Sequence, residues 1–416
     1  MTVGSGAVPL GRPYAWLWSS SALSNLADGV LKVALPLVAL RFTDSPTLIA
    51  GLGVALSLPW LLFSLPAGAL ADRWDRRRSM LWANVVRGGV VVALGTAFAV
   101  GAGNLWMLYA AAVIIGSTET LYDTSAQSIL PQLVPTAGLD RANGRLQAAE
   151  LTTNQFIGPP LGGLLAASGA ALSFATPAGL WLVAVGALWM VRGNFRIERT
   201  GSPVTLREDI AEGLRFLWSN PVLRVLAAMT GAFNLATSAA FAVFVLYAVG
   251  PASVLHLEGA AYGALLASTA AGAVVGALFA GQAVARIGRS ASLLIAICTG
   301  ALFVGAPAVT SNVWLVGGVF VLGGLGMAFW NVVTVTLRQR IAPARLLGRV
   351  NSGYRLLAWG TMPIGAALGG LIGEAWGLRA VFAIMAVLTL CLLVGLIWVT
   401  DRHIAEAEEA AEQAAS

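Results

Sequence analysis

Long apolar runs alternate with short polar segments along the whole chain. The hydrocarbon core of a bilayer is about 30 Å thick and an α-helix rises about 1.5 Å per residue, so one crossing needs roughly 20 residues. Twelve runs reach that length, and they predict an all-α membrane protein with twelve transmembrane helices in two pseudo-symmetric six-helix halves. The predicted spans are 16–40, 48–70, 80–100, 105–129, 146–167, 172–191, 222–249, 261–284, 293–310, 313–335, 354–372 and 381–399.

Arginine is distributed unevenly between the gaps that separate these spans. The gaps after spans 1, 3, 5, 7, 9 and 11 contain only Arg41 and Arg379, whereas the other gaps and the termini contain most of the remaining arginines. Short loops rich in arginine stay in the cytoplasm. The pattern therefore predicts that both termini face the cytoplasm of a bacterium, with the chain in its plasma membrane.

Composition agrees with this class. Hydrophobic residues make up 58% of the 416 positions and charged residues 11%, less than the roughly 25% typical of soluble domains. The net charge of +6 needs no nucleic-acid partner, because arginines next to anionic lipid account for it. Cys298 and Cys391 both fall inside predicted spans, which favours packing residues over a disulfide.

The longest gap divides the chain into halves. We predict an N-terminal half at 1–193, a linker at 194–221, a C-terminal half at 222–400 and an acidic cytoplasmic tail at 401–416. In the linker, Leu206, Ile210, Leu214 and Leu217 recur at helical spacing, which predicts an amphipathic helix on the inner leaflet. The tail is predicted to be a solvated helix without an assigned function.

The two halves repeat each other at a spacing of about 209 positions. The sequence Asn25-Leu26-Ala27-Asp28 returns as Asn234-Leu235-Ala236-Thr237, and Gly162-Gly163 returns as Gly369-Gly370. Each half contains an even number of spans, so the repeats run parallel. Such halves can enclose a central cavity and rock around it, as in transporters that work by alternating access.

Several motifs resemble the major facilitator superfamily. The loop between spans 2 and 3 carries Gly68-x3-Asp72-Arg73-x2-Arg76-Arg77-Arg78, which is similar to the signature of that family. Span 5 carries Gly158-Pro159-Pro160-Leu161-Gly162-Gly163, which resembles its antiporter motif. The segments 43–46, 58–60, 130–135 and 346–351 are similar to exporters of the macrolide-efflux and enterobactin-export branch.

This resemblance implies proton-driven export of small, largely apolar molecules. It also implies that Arg73 pairs with an acid in span 4, such as Asp123, and that Asp72 lies against the start of span 11, where the helix dipole favours a carboxylate. These contacts would hold the cytoplasmic side shut. Two positions depart from the pattern: Asn84 stands where an aspartate is expected, and Lys32 is unusual in span 1.

Ionisable residues inside spans are costly unless they are paired or hydrated, so each is a candidate for function. Asp28 lies near the middle of span 1, and Lys32 is its i+4 neighbour. We expect these two to pair, with Asp28 taking up the proton and Lys32 stabilising the carboxylate or replacing the proton. The alternative is a static pair that only allows a polar span to insert.

Other polar residues within the spans are secondary candidates. Glu119 with Arg87 is expected to act as a proton relay, to recognise a cationic substrate through its carboxylate, or to form a structural pair. Asp123 is expected to be structural. Glu150 is a candidate for the gate or the proton path. Asn234 is expected to contact substrate from span 7.

The glycine and proline residues of span 5 allow two interpretations. Gly158, Gly162 and Gly163 permit close helix packing, and Pro159 with Pro160 should kink the helix. In the antiporter interpretation, the kink seals the protein against leak during the switch between states.

The chain lacks the constellations that an enzyme needs. Its two histidines lie outside the spans, and it has neither metal-ligand spacing nor a phosphate-binding loop. We therefore expect a monomeric transporter without cofactors, whose partners are a small-molecule substrate, protons and membrane lipids. The main expectation is a proton-coupled exporter of hydrophobic or amphipathic molecules. The alternatives are a dedicated metabolite or siderophore exporter and a proton-coupled importer.

Overall fold

A computed structural model describes the backbone of residues 10–193, 195, 206–250, 252–343 and 346–415, and it describes the side chains of these residues except 64–73, 136, 140, 206–210, 414 and 415. Within this part of the chain the protein is helical and contains no β-strand beyond one isolated bridge between Val249 and Leu257. The helices are α1 (Gly11–Ala39), α2 (Pro46–Arg73), α3 (Arg76–Ala99), α4 (Leu105–Leu133), α5 (Leu139–Glu150), α6 (Gly158–Ser168), α7 (Ala170–Trp189), α8 (Leu206–Ser219), α9 (Pro221–Ala248), α10 (Gly259–Ile287), α11 (Arg289–Val309), α12 (Val313–Ile341), α13 (Leu347–Gly360), α14 (Met362–Trp376), α15 (Leu378–Cys391) and α16 (Asp401–Ala415).

Eleven of the described helical stretches are long and apolar enough to cross a membrane. They correspond to every predicted span except the fifth, and α13 with α14 forms one of them. The predicted fifth span, 146–167, lies within a helical run from Leu139 to Ser168 in which a π-helix, Leu151–Ile157, joins α5 to α6. The predicted all-helical membrane fold is therefore confirmed, and the twelve-helix count is consistent with it.

Short polar side chains and glycines set the ends of the helices. Asn104, Asn220 and Asn312 each accept hydrogen bonds from backbone N–H groups in the first turn of α4, α9 and α12. Gly169 and Gly377 adopt positive φ angles, 128° and 84°, at the junctions that start α7 and α15. A residue with a side chain rarely adopts this backbone conformation, so glycine lets the chain turn sharply at each of these two junctions.

The chain forms two compact units. The first comprises residues 1–42, 62–201 and 259–264. Its core is built where α1, α3, α4 and α7 pack together. The large side chains at its centre are fully or almost fully buried: Leu17, Arg87, Tyr122, Phe174 and Trp181. Two of these five are aromatic rings that lie next to a buried charge, which makes this core unusual for a membrane bundle.

The second unit comprises residues 43–61, 202–258 and 265–416. Its interior is aromatic. Phe241 and Phe244 pack with Phe303 and Phe320 at ring-centroid distances of 4.8–5.6 Å. Such contacts stabilise a core beyond the area that they bury. Phe244 is almost fully buried in this core.

The linker helix forms as predicted, but protein covers part of its apolar face. Leu217 of α8 is fully buried in the core of the second unit, and Leu214 contacts Gly353 of α13. Glu212 also pairs with Arg349 of α13. Part of the apolar face that was predicted to lie on the inner leaflet is therefore packed on protein, because these leucines dock on α13. The predicted apolar positions Leu206 and Ile210 have side chains outside the described part.

The tail also differs from the solvated helix that was expected. Asp401 accepts hydrogen bonds from the backbone N–H groups of Arg289 and Ser290 at 3.2 and 3.1 Å, which caps the start of α11. Ile404 is buried, and Glu408 lies 2.9 Å from Nη1 of Arg289. Helix α16 is thus packed against other helices of the second unit, because its buried isoleucine and its acidic residues both contact them.

Candidate functional site

A buried ion pair joins α1 and α3 in the first unit. Nη1 of Arg87 donates hydrogen bonds to both carboxylate oxygens of Asp28, at 2.9 and 3.0 Å. The Arg87 side chain is 0% exposed and that of Asp28 is 6% exposed. Desolvation makes such a pair costly unless further contacts satisfy its remaining donors and acceptors. The surroundings of Arg87 supply several of these contacts.

Neutral groups surround the arginine on its other sides. Nη2 of Arg87 donates to Oδ1 of Asn84 at 2.8 Å, and Ser24 donates to the same oxygen at 3.1 Å. The guanidinium also lies 4.9 Å from the ring centroid of Tyr122 and 5.1 Å from that of Trp181. Contacts between a cation and an aromatic ring are worth more where water is excluded. Arg87 is therefore held from several sides besides its contact with Asp28.

A second, exposed ion pair lies nearby on α1 and α4. The Lys32 ammonium is 3.7 Å from Oε1 of Glu119, and it donates a hydrogen bond to Oδ1 of Asn154 at 3.2 Å. The side chain of Lys32 is 51% exposed, whereas that of Glu119 is 14% exposed. Asn154 in turn donates to Oδ1 of Asn25 at 3.4 Å. The first unit thus carries one buried pair and one accessible pair.

The π-helix places Asn154 in this network. Pro159 and Pro160 lack the N–H groups that would bond back to the preceding turn, so the regular α-helical ladder cannot run through them. The helix is wound as a π-helix over Leu151–Ile157, directly before these prolines. A Cβ on Gly29 of α1 would meet the backbone oxygen of Asn154, so the glycine allows close contact here. Span 5 is therefore irregular where a proline kink was predicted.

Two predicted pairings are wrong. Asp28 pairs with Arg87 rather than with Lys32, and Glu119 pairs with Lys32 rather than with Arg87. An α-helix has about 3.6 residues per turn, so positions four apart differ by about 40° around the axis. That rotation is enough to bury Asp28 between helices while Lys32 lies on the exposed side of α1.

The remaining predicted site residues fall into two groups. Asp123 is half-buried one turn after Glu119, and Glu150 is exposed at the end of α5. Both interact electrostatically with Lys32, as Glu119 and Asp28 do. Asn234 lies in the second unit, where its amide donates to the backbone oxygen of Ala358 at 2.7 Å. This contact ties α9 to α13, so the structure brings Asn234 into a packing contact.

The signature loop is only partly described. The side chains of Asp72 and Arg73 lie outside the described part, whereas the backbone of Gly68 lies in α2. Arg76 donates to the backbone oxygen of Ser128 at 2.6 Å, and Arg77 donates to the backbone oxygens at the end of α7. Carbonyl groups at helix C-termini lack partners within the helix, and arginine side chains can satisfy them. Arg76 and Arg77 therefore fasten the start of α3 to α4 and α7.

The antiporter-type glycines lie at close helix contacts. A Cβ on Gly158 would come 2.7 Å from the Cα of Gly29, and one on Gly162 would meet the backbone oxygen of Val30. A Cβ on Gly163 would meet the backbone oxygen of Gly259, and the backbone of Pro159 contacts Gly263. These positions pack span 5 against α1 and the start of α10. The geometry gives the packing interpretation a direct physical basis.

Sequence reasoning missed four residues that complete the network. Ser24, Asn154, Tyr122 and Trp181 surround the charged groups. The signal for the first two was their polarity within spans. Nothing local distinguished the aromatic rings from ordinary core residues.

Sequence reasoning also missed the cap of α3. The Asp75 carboxylate accepts hydrogen bonds from the backbone N–H groups of Arg78 and Phe195, both at 2.9 Å. It thereby joins the start of α3 to the segment that follows α7.

Among the described residues, no group of three metal-binding side chains occurs.

Comparisons with known proteins give consistent results. Residues 5–416 match the model of the family described as "Transmembrane secretion effector". The multidrug efflux pump Tap of Mycobacterium tuberculosis is 29% identical over 385 residues, covering 89% of this chain and 90% of Tap. The enterobactin exporter EntS of Citrobacter koseri is 29% identical over 360 residues, covering 84% of this chain and 83% of EntS.

Solved structures show the same fold. A bacterial homologue of the iron transporter ferroportin, in an inward-facing state, matches with a TM-score of 0.73 and 18% identity over 93% of this chain and 98% of that chain. The nucleoside transporter NupG matches with a TM-score of 0.71 and 12% identity over 92% of this chain and 98% of that chain. The chain belongs to the transmembrane secretion effector family of the major facilitator superfamily, and it is a multi-pass membrane transporter rather than an enzyme.

Proposed function

We propose that this transporter exports small hydrophobic or amphipathic molecules from a bacterial cell by proton-coupled alternating access, and that Asp28 carries the proton. The observation that carries the proposal is the buried pair of Asp28 and Arg87 at the centre of the first unit. A buried carboxylate with one guanidinium partner has two states. It is either charged and paired with the guanidinium, or protonated, neutral and released from the pair. Intramembrane acids of this kind are characteristic of proton relays in transporters.

The surroundings of Arg87 allow the pair to open. When Asp28 binds a proton, its attraction for the guanidinium falls. Arg87 then keeps Asn84 as a hydrogen-bond acceptor and the rings of Tyr122 and Trp181 as cation–π partners. The arginine is thus never left as an isolated buried charge, which would cost several kcal/mol. Proton binding and release at Asp28 can therefore change the contact between α1 and α3 at a moderate cost.

Similarity to known exporters supports the direction of transport. Tap is named a multidrug efflux pump and EntS an enterobactin exporter, and each aligns with most of this chain. In both cases the named activity is removal of a small molecule from the cell. We infer that this protein is located in the plasma membrane with both termini in the cytoplasm, as the distribution of arginines indicates, and that it acts as a monomer.

Reconstitution in proteoliposomes tests this function. Purified protein would face an imposed pH gradient together with a panel of cationic dyes, a macrolide and a catecholate siderophore. We expect gradient-driven movement of a panel member by the unaltered protein. Asp28→Asn should abolish accumulation against a gradient while it retains exchange of substrate without a gradient, because an amide cannot carry the proton. Asp28→Glu should retain part of the coupling.

The matched control is Asp44→Asn, which removes a carboxylate from an exposed turn outside the network. It should transport like the unaltered protein. Full gradient-driven transport by Asp28→Asn would contradict the assignment of the proton to Asp28 and direct attention to Glu119 or Glu150. Movement of the siderophore alone would favour the alternative of a dedicated exporter, and accumulation with the opposite gradient polarity would favour a proton-coupled importer.

A further inference from the structure

We propose that Lys32, together with Asn154 and Glu119, forms a substrate-binding site for molecules that carry an acidic oxygen group, such as a phenolate, an enolate or a carboxylate. This inference rests on the proposed export function and names the class of substrate. It differs from the expectation that Glu119 recognises a cationic substrate.

The first argument is the free hydrogen-bonding capacity of the ammonium group. A lysine ammonium has three N–H donors and no acceptor. Lys32 donates one hydrogen bond, to Asn154 at 3.2 Å, and its 3.7 Å contact with Glu119 is longer than a hydrogen bond. Among the described side chains, Asn154 is the one acceptor of a Lys32 hydrogen bond. The ammonium can therefore donate to an oxygen of a bound molecule without breaking an existing hydrogen bond.

The second argument is accessibility. Half of the Lys32 side chain is exposed, although the residue lies within a membrane-spanning helix. Charged side chains in such segments face a water-filled space or the inside of a bundle, because exposure to hydrocarbon costs several kcal/mol. Arg87 is the other cation of this region, and it is fully buried. A ligand that enters this space can reach Lys32 but not Arg87.

The third argument is preorganisation. Asn154 is more than nine-tenths buried in the π-helix, and its amide donates to Asn25. This contact fixes the Asn154 oxygen towards the ammonium. Single π-helical turns are rare and occur frequently at functional sites. A binding group held before the ligand arrives loses less conformational entropy on binding.

The relative exposure of the two paired side chains also favours an acidic group over a basic one. Glu119 is the less exposed partner of the pair, with 14% of its side chain accessible, so a ligand meets the ammonium first. Hydrogen bonds between an ammonium and an ionised oxygen are shorter and roughly twice as strong as neutral ones. A bound phenolate or carboxylate would therefore accept a close hydrogen bond from an ammonium that Glu119 contacts only loosely.

Equilibrium binding to purified full-length protein in detergent tests the inference without any ion gradient. Fluorescein and rhodamine 123 are suitable probes because they share a xanthene core, whereas fluorescein carries a phenolate and a carboxylate and rhodamine 123 is a cation. Fluorescence polarisation would measure both affinities. We expect the unaltered protein to bind fluorescein more tightly than rhodamine 123.

The variants separate charge from shape. Lys32→Gln should weaken fluorescein binding by roughly 10- to 100-fold, since it removes a charged hydrogen bond, and it should not weaken rhodamine 123 binding. Lys32→Arg should retain most of the affinity for fluorescein. The matched control is Arg41→Gln, which removes an exposed positive charge just after α1 and should change neither affinity.

Three results would overturn the inference: unchanged fluorescein affinity in Lys32→Gln, an equal loss of both dyes in that variant, or an unaltered protein that binds fluorescein no better than rhodamine 123. Size-exclusion elution of each variant identifies failure to fold, and Lys32→Arg then provides the remaining test. Lys32-dependent binding without gradient-driven transport would contradict the proposed function alone. Asp28-dependent transport with Lys32-independent binding would contradict this inference alone.

Discussion

The two halves of the sequence repeat share helix contacts at matching positions but differ in the side chains that fill them. Tyr122 of α4 and Trp330 of α12 occupy the same position counted from the first residue of their helices. The Tyr122 hydroxyl lies 3.4 Å from the hydroxyl of Ser21 on α1, and Trp330 donates to the hydroxyl of Thr230 on α9 at 3.0 Å. Ser21 and Thr230 are themselves counterparts in the repeat. A contact at the same place therefore joins α1 to α4 in the first repeat and α9 to α12 in the second.

The charged positions of the first repeat have uncharged counterparts in the second. Asp28 corresponds to Thr237, whose hydroxyl bonds back to its own helix at Phe233. Arg87 corresponds to Gly300, counted from the first residue of α3 and α11. A Cβ on Gly300 would come 2.8 Å from the ring of Phe233. An aromatic ring thus packs where the first repeat holds a guanidinium.

The accessible pair shows the same contrast. Lys32 corresponds to Phe241, and Glu119 corresponds to Met327. Phe241 packs against Phe303 at a ring-centroid distance of 5.0 Å. The shared helix contacts therefore do not require charge at these positions. Charge present in only one of two similarly packed repeats points to function rather than to folding.

The largest expected effect comes from breaking the buried pair of the first repeat. Arg87→Leu should lower the free energy of unfolding by about 3–5 kcal/mol, because it leaves the Asp28 carboxylate buried without its partner. The double variant Asp28→Asn, Arg87→Leu should recover a large part of this loss. Equilibrium unfolding in mixed micelles measures both. Arg41→Leu, at an exposed site, should stay within about 0.5 kcal/mol of the unaltered protein. An Arg87→Leu protein as stable as that control would show that the pair is not desolvated.

A smaller effect tests the shared helix contacts. Gly162→Ala and the matching Gly369→Ala should each lower the free energy of unfolding by about 1–3 kcal/mol, because each new Cβ would meet a backbone oxygen of the neighbouring helix, at Val30 and Ala239 respectively. Gly186→Ala adds a methyl group where no atom lies within 4 Å apart from the adjoining backbone of its own helix, and it should be neutral or stabilising. The same unfolding measurement applies. A large effect in one repeat only would contradict the shared contacts.

The smallest effect concerns the caps that start α3 and α11. Asp75 caps α3 from the adjacent loop, whereas α11 begins after Gly288 and receives its carboxylate from Asp401 of the tail. Asp75→Ala and Asp401→Ala should each cost about 0.5–2 kcal/mol. Deletion of 401–416 should cost at least as much as Asp401→Ala, and Glu412→Ala, at an exposed tail position, serves as the control. A tail deletion without effect would show that α16 does not support the second unit.

The sequence by itself determined eleven of the twelve predicted spans, since the length and hydropathy of a segment decide whether it can cross a membrane. It also determined the linker helix and the irregularity before Pro159 and Pro160, because periodicity and missing N–H groups act locally. The sequence also identified the candidate charged residues, because an ionisable residue stands out within an apolar span. These residues are Asp28, Lys32, Arg87 and Glu119.

Only the tertiary structure decided which charged side chains form ion pairs with each other. Asp28 and Lys32 are neighbours on α1, yet the partner of Asp28 lies 59 positions away on α3, and that of Lys32 lies on α4. The order of the chain does not record how far each helix is rotated about its axis, and a rotation of about 40° separates a buried position from an exposed one. Packing of the whole unit sets that rotation, so the division into a buried pair and an accessible pair arises only when the helices come together.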